Sequence, residues 1–152
     1  MTRYLWHEPI TTLEATLAQA DPRDRFDFDD GYASHRAAAG ILERAGRRGT
    51  FYIVTRWLGL DGFLTVTDVR ALAFAGHEIG NHTASHVWLG KIPAVARELE
   101  IREAQDRLAA ITHVPPRSFA YPYGLVDEAA AASVAAFGFT LARGIDQLEA
   151  RR

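Results

Sequence analysis

Histidine and aspartate stand at short spacings in two stretches of this chain. In the segment "GHEIGNHTASH", residues 76–86, His82 and His86 are four residues apart. An earlier segment, "DFDDG", places Asp29 and Asp30 side by side. Two imidazoles and one carboxylate are the ligands of a hydrolytic zinc site whose fourth position is open. If the two segments meet in the fold, these residue types predict a divalent-cation site.

Each segment taken alone has a simpler interpretation. His82 and His86 would share one face of a helix, but a pair at this spacing also fits a helix cap followed by a surface residue. The Asp-Asp-Gly sequence is typical of a turn. If the site forms, one of the two aspartates could bind the cation while the other orients a water molecule. A cation held there would lower the pKa of water towards about 7.

Size and composition set the limits on what this chain does. Its 152 residues fit a single domain, and 48% of them are hydrophobic, which is typical of a globular protein with a core. The net charge of -2 gives no electrostatic basis for binding nucleic acid or an anionic membrane. Without cysteine, any metal must be held by His, Asp or Glu. No signal-peptide or membrane-spanning pattern is visible, so a cytoplasmic location is the expectation.

Predicted strands and helices alternate along the chain, which indicates an α/β fold with parallel strands. Five strands are predicted, in the segments 25–29, 50–55, 77–81, 117–120 and 139–143. Helices are predicted in the segments 11–20, 33–46, 65–76, 92–112 and 126–138. The polar sequences "DFDDG", "NHTASH" and "YPYG" follow the first, third and fourth strands. Because the carboxyl ends of parallel strands share one edge of a sheet, these clusters are expected to meet there.

Three motifs in this order resemble the polysaccharide deacetylase family, the NodB homology domain of carbohydrate esterase family 4. They are "FDDG" at 28–31, "HTASH" at 82–86 and "FAYPYG" at 119–124, and the resemblance covers residues 25 to 143. It implies a distorted, incomplete (β/α) barrel, formed by a single domain over residues 1–152 whose last strands are missing. It also implies metal-dependent removal of acetyl groups from amino sugars or related glycans.

The resemblance assigns a role to each matching residue. Asp29 takes the place of the general base, and Asp30, His82 and His86 take the places of the metal ligands. The backbone N–H of Tyr123 takes the place of the donor that stabilises the oxyanion. Zinc is the expected ion, and cobalt, nickel or manganese would also suit this ligand set. Asn81 and Thr83 are expected to hold the loop that carries the two imidazoles.

Two positions near the predicted site depart from the family pattern. An arginine of the third motif usually pairs with the catalytic aspartate, but Ala120 stands at that position. Arg117 would point to the opposite face of its strand, so Arg143, at the end of the next strand, is the better candidate. Asp27 replaces a residue that is commonly uncharged, and its strand parity with Asp29 predicts that both carboxylates face the site.

The chain also lacks an evident general acid. The family supplies a histidine from a late motif, and this chain ends at "LARGIDQLEARR" before such a motif. The remaining histidines are expected to be surface or capping residues: His7, His35, His77 and His113. An enzyme without its general acid would lose about two to four orders of magnitude in rate.

These observations leave three hypotheses for function. The first is a metal-dependent hydrolase that removes acetyl groups from N-acetylated amino-sugar glycans. The second is a catalytically impaired homologue that binds glycans or partners, and the third is an unrelated α/β domain with chance motifs. A carbohydrate is the expected ligand, with Trp57, Trp88 and Tyr121 as candidates to stack on sugar rings. An open barrel edge would also favour association into a homo-oligomer.

Overall fold

The computed structural model describes residues 2–6 and 10–144, which form one six-stranded sheet with helices packed against it. The strands are β1 (Arg3–Leu5), β2 (Arg25–Phe28), β3 (Thr50–Ile53), β4 (Glu78–Asn81), β5 (Ser118–Ala120) and β6 (Leu141–Arg143). The α-helices are α1 (Leu13–Gln19), α2 (His35–Arg44), α3 (Val66–Phe74), α4 (Ala94–Thr112) and α5 (Glu128–Ala135). Short 3₁₀ helices cover Ile10–Thr12, Thr55–Trp57, Leu89–Lys91 and Pro122–Gly124.

Every strand in the sheet is parallel to its neighbours, and the order in space follows the order in the chain. Parallel neighbours need crossover connections, and the helices supply them. The sheet curls into a half-barrel. The predicted α/β class and the incomplete (β/α) barrel are confirmed. As a consequence, the carboxyl ends of all strands lie along one edge.

The sequence predicts five strands, and the structure adds a sixth, β1. This strand pairs in parallel with β2, with Arg3 opposite Arg25 and Leu5 opposite Asp27. It is only three residues long and half-buried throughout, so it carries no alternating pattern that sequence reasoning could detect. Strand β1 is held by the neighbouring strand rather than by its own propensity.

The core of the sheet comes from apolar strands that are covered on both faces. Phe26 and Phe28 of β2, with Phe51 and Ile53 of β3, are fully buried and pack against Leu42 of α2. Strands buried on both faces read as nearly continuous apolar runs, which explains the "TFYIV" sequence. A second cluster joins β5 to α4 and α5: Leu89, Ile101, Phe119, Tyr121, Ala130 and Val134. The two clusters fix the strand ends that carry the polar residues.

The helices have identifiable ends. Helix α3 begins with a capping box in which Thr65 and Asp68 each accept a hydrogen bond from the backbone N–H of the other. Asp127 caps α5 by accepting from the N–H of Ala130 at 2.7 Å. Helix α4 ends at Thr112 and is capped by His113, whose left-handed backbone closes the last turn. Over the residues that the structure describes, no helix has the length and apolar character needed to cross a membrane.

Candidate metal centre

Three predicted ligands converge where β2 and β4 end. Asp30 follows β2, whereas His82 and His86 follow β4. Oδ1 of Asp30 lies 3.3 Å from Nε2 of His82 and 3.2 Å from Nε2 of His86. One ligand atom from each residue lies within 4.8 Å of the others. Two imidazole nitrogens and a carboxylate oxygen therefore face one point, which is the donor set of a divalent ion with an open coordination position.

The two histidines meet through a tight loop rather than on one face of a helix. Residues 82–88 contain no helical turn, and the backbone is left-handed at Thr83 (φ 66°) and at His86 (φ 60°). Asp30 (φ 74°) and Tyr123 (φ 59°) share this unusual conformation. For residues other than glycine it costs about 1–3 kcal/mol each and is common at functional sites. Because several residues with this conformation lie at or beside the ligands, the site is built at the expense of local stability.

His82 is held in one tautomer by the neighbouring strand. Its Nδ1–H donates to the carbonyl oxygen of Ala120 at 2.7 Å, and the ring is almost fully buried. Nε2 is thereby left as an acceptor, directed towards Asp30 and His86. A second hydrogen bond of this kind is what fixes the orientation of a metal-binding histidine. The imidazole is thus prepared for a cation by contacts within the protein alone.

Asn81 and Thr83 hold the loop, as predicted. The side-chain amide of Asn81 donates to the carbonyl of Ile101 at 3.0 Å, and its Oδ1 accepts from the N–H of Thr83 at 2.9 Å. Oγ1 of Thr83 in turn accepts from the N–H of His86 at 3.0 Å. Of the residues in this series of hydrogen bonds, Asn81, Thr83 and Ile101 are fully buried. The loop is therefore anchored on α4. This anchoring keeps the two imidazoles at a fixed separation.

Arg143 occupies the role that the sequence proposed for it. Arg143 is the last residue of β6. Its Nη2 contacts the carboxylate of Asp29, and its Nε lies 2.9 Å from Oδ2 of Asp27. Its side chain is 4% exposed, so the ion pairs are shielded from water. Burial alone would lower the pKa of Arg143, but Asp29 and Asp27 raise it above its usual value. Ala120, at the position where the resemblance expects an arginine, lies opposite Arg143 of the neighbouring strand.

Asp27 faces the same interior as Asp29, which agrees with their strand parity. It is fully buried and also accepts from Nη1 of Arg3 at 2.6 Å. Burial, partly offset by Arg143 and Arg3, raises the pKa of Asp27 above its usual range. Sequence reasoning missed Arg3, because nothing in "TRYLW" indicates a partner 24 residues away.

The charges around the three ligands favour the protonation states that a cation needs. Burial opposes ionisation of Asp30, but the adjacent His82 and His86 hold the pKa of its carboxyl below the usual value. Burial and the adjacent His82 lower the pKa of His86, which favours the neutral imidazole. Metal ligands must be deprotonated to bind, so both shifts act in the right direction.

Aromatic rings surround the exposed side of the ligand cluster. The ring of Tyr123, which is 57% exposed, lies 4.6 Å from that of His86, so this side chain lies beside the ligands. The ring of Trp57 also lies against that of His86, with centroids 5.2 Å apart. Burial and the nearby carboxylate of Asp30 raise the pKa of the Tyr32 hydroxyl. Tyr32 was not foreseen, although its position two residues after Asp30 was a usable signal. Tyr32 also stacks on Phe63, with ring centroids 5.2 Å apart.

The comparison with known proteins decides the family. The sequence profile of the polysaccharide deacetylase family matches residues 25–142, which is most of the chain. The chain belongs to the polysaccharide deacetylase family. Its three motifs, and all five residues that the resemblance assigned, lie within the matched range. Arg3 lies before it.

Named deacetylases share this sequence over part of their length. Chitin deacetylase 1 of Saccharomyces cerevisiae is 30% identical over 117 residues, which cover 75% of this chain and 36% of the yeast protein. The chitin deacetylase of Arthroderma benhamiae is 31% identical over 86 residues, covering 55% of this chain and 23% of that protein. The chain thus spans less than half the length of the curated relatives that it matches.

Solved structures of deacetylases share the fold. BC0361, a polysaccharide deacetylase from Bacillus cereus, superposes with a TM-score of 0.80 at 19% identity, covering 93% of this chain and 55% of that one. The Streptococcus pyogenes deacetylase PplD, solved with acetate, gives a TM-score of 0.73 at 20% identity, covering 90% of this chain and 63% of that one. At these identities the likeness establishes the fold alone.

The remaining histidines of this deacetylase-family chain differ from the prediction in two cases. His35 is buried among the rings of Phe28, Tyr32 and Phe51, and burial lowers its pKa to about 4. His77 is buried as well, so the expectation of surface or capping residues is wrong for both. A position close to the sheet buries them, and local sequence does not reveal it. His113 is the exposed helix cap that was predicted, and His7 lies outside the described residues.

Proposed function

We propose that this chain is a metal-dependent hydrolase that removes acetyl groups from N-acetylated amino-sugar glycans. The convergence of Asp30, His82 and His86 beside the Asp29–Arg143 ion pair carries this proposal. Membership of the polysaccharide deacetylase family supports it, as does the likeness to two chitin deacetylases. The five assigned residues would divide the work of an amide hydrolysis among them.

The ligand cluster fits a divalent ion. Its three donor atoms are close enough to share one centre, and the donors are those of catalytic zinc sites. Zinc is the ion that we expect, while cobalt, nickel and manganese accept the same ligands. When bound, such an ion polarises a carbonyl group and lowers the pKa of water. The hydrogen bond from His82 to Ala120 would hold the first imidazole in place for it.

Asp29 would act as the general base. Arg143 would hold its carboxylate in place, next to the cluster, through a charge-assisted contact. From there Asp29 takes a proton from the attacking water as the new C–O bond forms. When the C–N bond breaks, the nitrogen of the sugar takes up one proton and leaves as the amine, while acetic acid is released and ionises to acetate in solution. The proton removed from water therefore balances the reaction.

The oxyanion and the sugar would be bound by the aromatic side of the site. The Tyr123 ring lies against His86 and its backbone is left-handed, and the N–H of this residue would donate to the developing negative charge. Tyr32 and Tyr123 present rings that are 46% and 57% exposed, and exposed aromatic faces suit the apolar faces of sugars. Of the three stacking candidates from the sequence, Tyr121 is buried, Trp57 lies against His86, and Trp88 is exposed with Lys91 over its ring.

Acetate release from N-acetylglucosamine oligomers tests the proposal. The protein is stripped with a chelator and reloaded separately with zinc, cobalt, nickel or manganese. We expect release with at least one ion and none without, and an O-acetylated sugar in parallel separates amide from ester substrates. Asp29→Asn should abolish most of the release, whereas Asp61→Asn, an exposed aspartate in the loop after β3, should not. A folded, metal-loaded protein that releases no acetate would refute the proposal.

A further inference from the structure

Arg3 connects the edge strand β1 to the charged groups of the site. Its Nη1 lies 2.6 Å from Oδ2 of Asp27 and 3.4 Å from the hydroxyl of Tyr52. Arg3 precedes the part of the chain that matches the family, residues 25–142. Its side chain is 21% exposed, so most of its contact with Asp27 is shielded from solvent. The edge strand thus adds a charge that the family match does not include.

Asp27 is shared between two arginines. The same carboxylate oxygen, Oδ2, lies 2.6 Å from Arg3 and 2.9 Å from Nε of Arg143, while Oδ1 has no hydrogen-bond partner. Arg143 in turn contacts Asp29 through Nη2. Four charges of alternating sign therefore run from β1 to the proposed base: Arg3, Asp27, Arg143 and Asp29.

The position of Arg143 depends on this balance. Asp27 and Asp29 attract the same guanidinium, and between buried groups such attractions are strong. Arg3 supplies part of the positive charge that the Asp27 carboxylate attracts. Nη2 of Arg143 can therefore contact Asp29. Without Arg3, Asp27 would be a buried carboxylate with one cation, and it would draw that cation away from Asp29.

We propose that Arg3 is a positioning residue, which neutralises Asp27 so that Arg143 stays on Asp29. This inference rests on the proposed function, because Asp29 matters as a base only if the chain is a hydrolase. It predicts that Arg3 affects the turnover of bound substrate rather than substrate binding. A residue that only stabilised β1 would have no such selective effect.

Four variants test the inference through kcat and KM for acetate release. Arg3→Met should lower kcat about ten-fold and leave KM within about two-fold. Arg3→Lys should keep most of kcat, because the positive charge remains. Arg25→Met is the control: Arg25 is exposed and lies opposite Arg3 in the sheet, and its loss should change neither constant. Circular dichroism and thermal melts establish that each variant is folded.

The double variant gives the sharpest result. In Arg3→Met with Asp27→Asn, the competing carboxylate is gone, so kcat should recover at least about three-fold relative to Arg3→Met alone. A residue that merely stabilised the sheet would instead make the double variant as slow or slower. An unchanged kcat in Arg3→Met, or no recovery in the double variant, overturns the inference.

A spectroscopic measurement separates this inference from the proposed function. The Nε–H resonance of Arg143 should shift in Arg3→Met and return towards its original position in the double variant. If the wild-type protein releases no acetate but these shifts appear, the proposed function fails and the positioning of Arg143 by Arg3 stands. If acetate is released and the resonance does not move, the inference alone fails.

Discussion

Strand β4 carries a buried histidine beside each of its ends, and the two differ in what their nitrogens do. At the amino end, Nδ1 of His77 accepts from the N–H of Gly49 at 3.1 Å, and Nε2 lies 3.1 Å from Glu43. At the carboxyl end, Nδ1 of His82 donates to Ala120, and Nε2 is directed towards Asp30 and His86. The protein uses both nitrogens of His77, but only one of His82. The second nitrogen of His82 is available to a cation.

The cavities and the chemistry also lie at different ends. A cavity of about 740 Å³ opens at the amino end, where His77, Phe74 and Arg117 belong to its lining. The ligand cluster lies at the other end, among the exposed rings of Tyr32 and Tyr123. In this fold, room for a ligand and the groups for catalysis are separate properties. The candidate site is identified by ligand atoms that converge on one point, and not by the volume of the cavity.

The largest expected effect on bound metal and on acetate release distinguishes the two histidines that flank β4. His82→Ala removes one of three ligands, so bound metal should fall below stoichiometry and acetate release should drop about three orders of magnitude or more. His77→Gln keeps a polar partner for Gly49 and should retain one equivalent of metal. Elemental analysis of both purified variants measures the difference. Equal metal content in the two would mean that the ends of the strand do not differ as described.

The two arginines on neighbouring strands provide the next comparison. Arg143→Met deprives Asp29 of its partner at the carboxyl edge, and kcat should fall about two to three orders of magnitude. Arg117, which directly precedes β5 at the amino edge, is exposed, and Arg117→Met should leave kcat unchanged. Metal content should remain at wild-type level in both. A comparable loss in the two variants would contradict the assignment of Arg143.

Buried histidines make the stability depend on pH. The pKa of His35 is about 4 in the folded protein and about 6.5 in the unfolded chain, so folding holds it neutral. Its contribution is complete above pH 6.5 and is lost as the pH falls towards 4. Over that range the wild type should lose about 3 kcal/mol more free energy of unfolding than His35→Leu. Urea denaturation at several pH values measures this, with His113→Ala, at an exposed cap, as the control.

The smallest effect is expected at the partner of His77. Glu43 is exposed, and in Glu43→Gln the side-chain oxygen can still accept from Nε2–H of His77. The free energy of unfolding should change by less than about 0.5 kcal/mol, with metal content and kcat unaltered. Urea denaturation at neutral pH provides the measurement. A loss of metal in this variant would show that the two ends of β4 are coupled.

Much of the fold and the candidate site could be predicted from local sequence. The alternation of apolar runs with helical patterns indicates parallel strands, and the polar clusters follow those strands directly. Asp29, Asp30, His82 and His86 could therefore be named before any coordinate was known. Arg143 could be proposed as the partner of Asp29, because Ala120 stands where the family pattern has an arginine and β6 is the adjacent strand. In each case the deciding information lies within a few residues of a strand end.

Other features were decided by the tertiary structure alone. The left-handed turns at Thr83 and His86 persist because contacts with α4 and neighbouring strands outweigh their local cost, and no local pattern records such contacts. The pairing of Arg3 with Asp27 joins residues 24 apart through an edge strand too short to predict. Local sequence determined which side chains could do the chemistry. Long-range packing determined which of their atoms remain available for it.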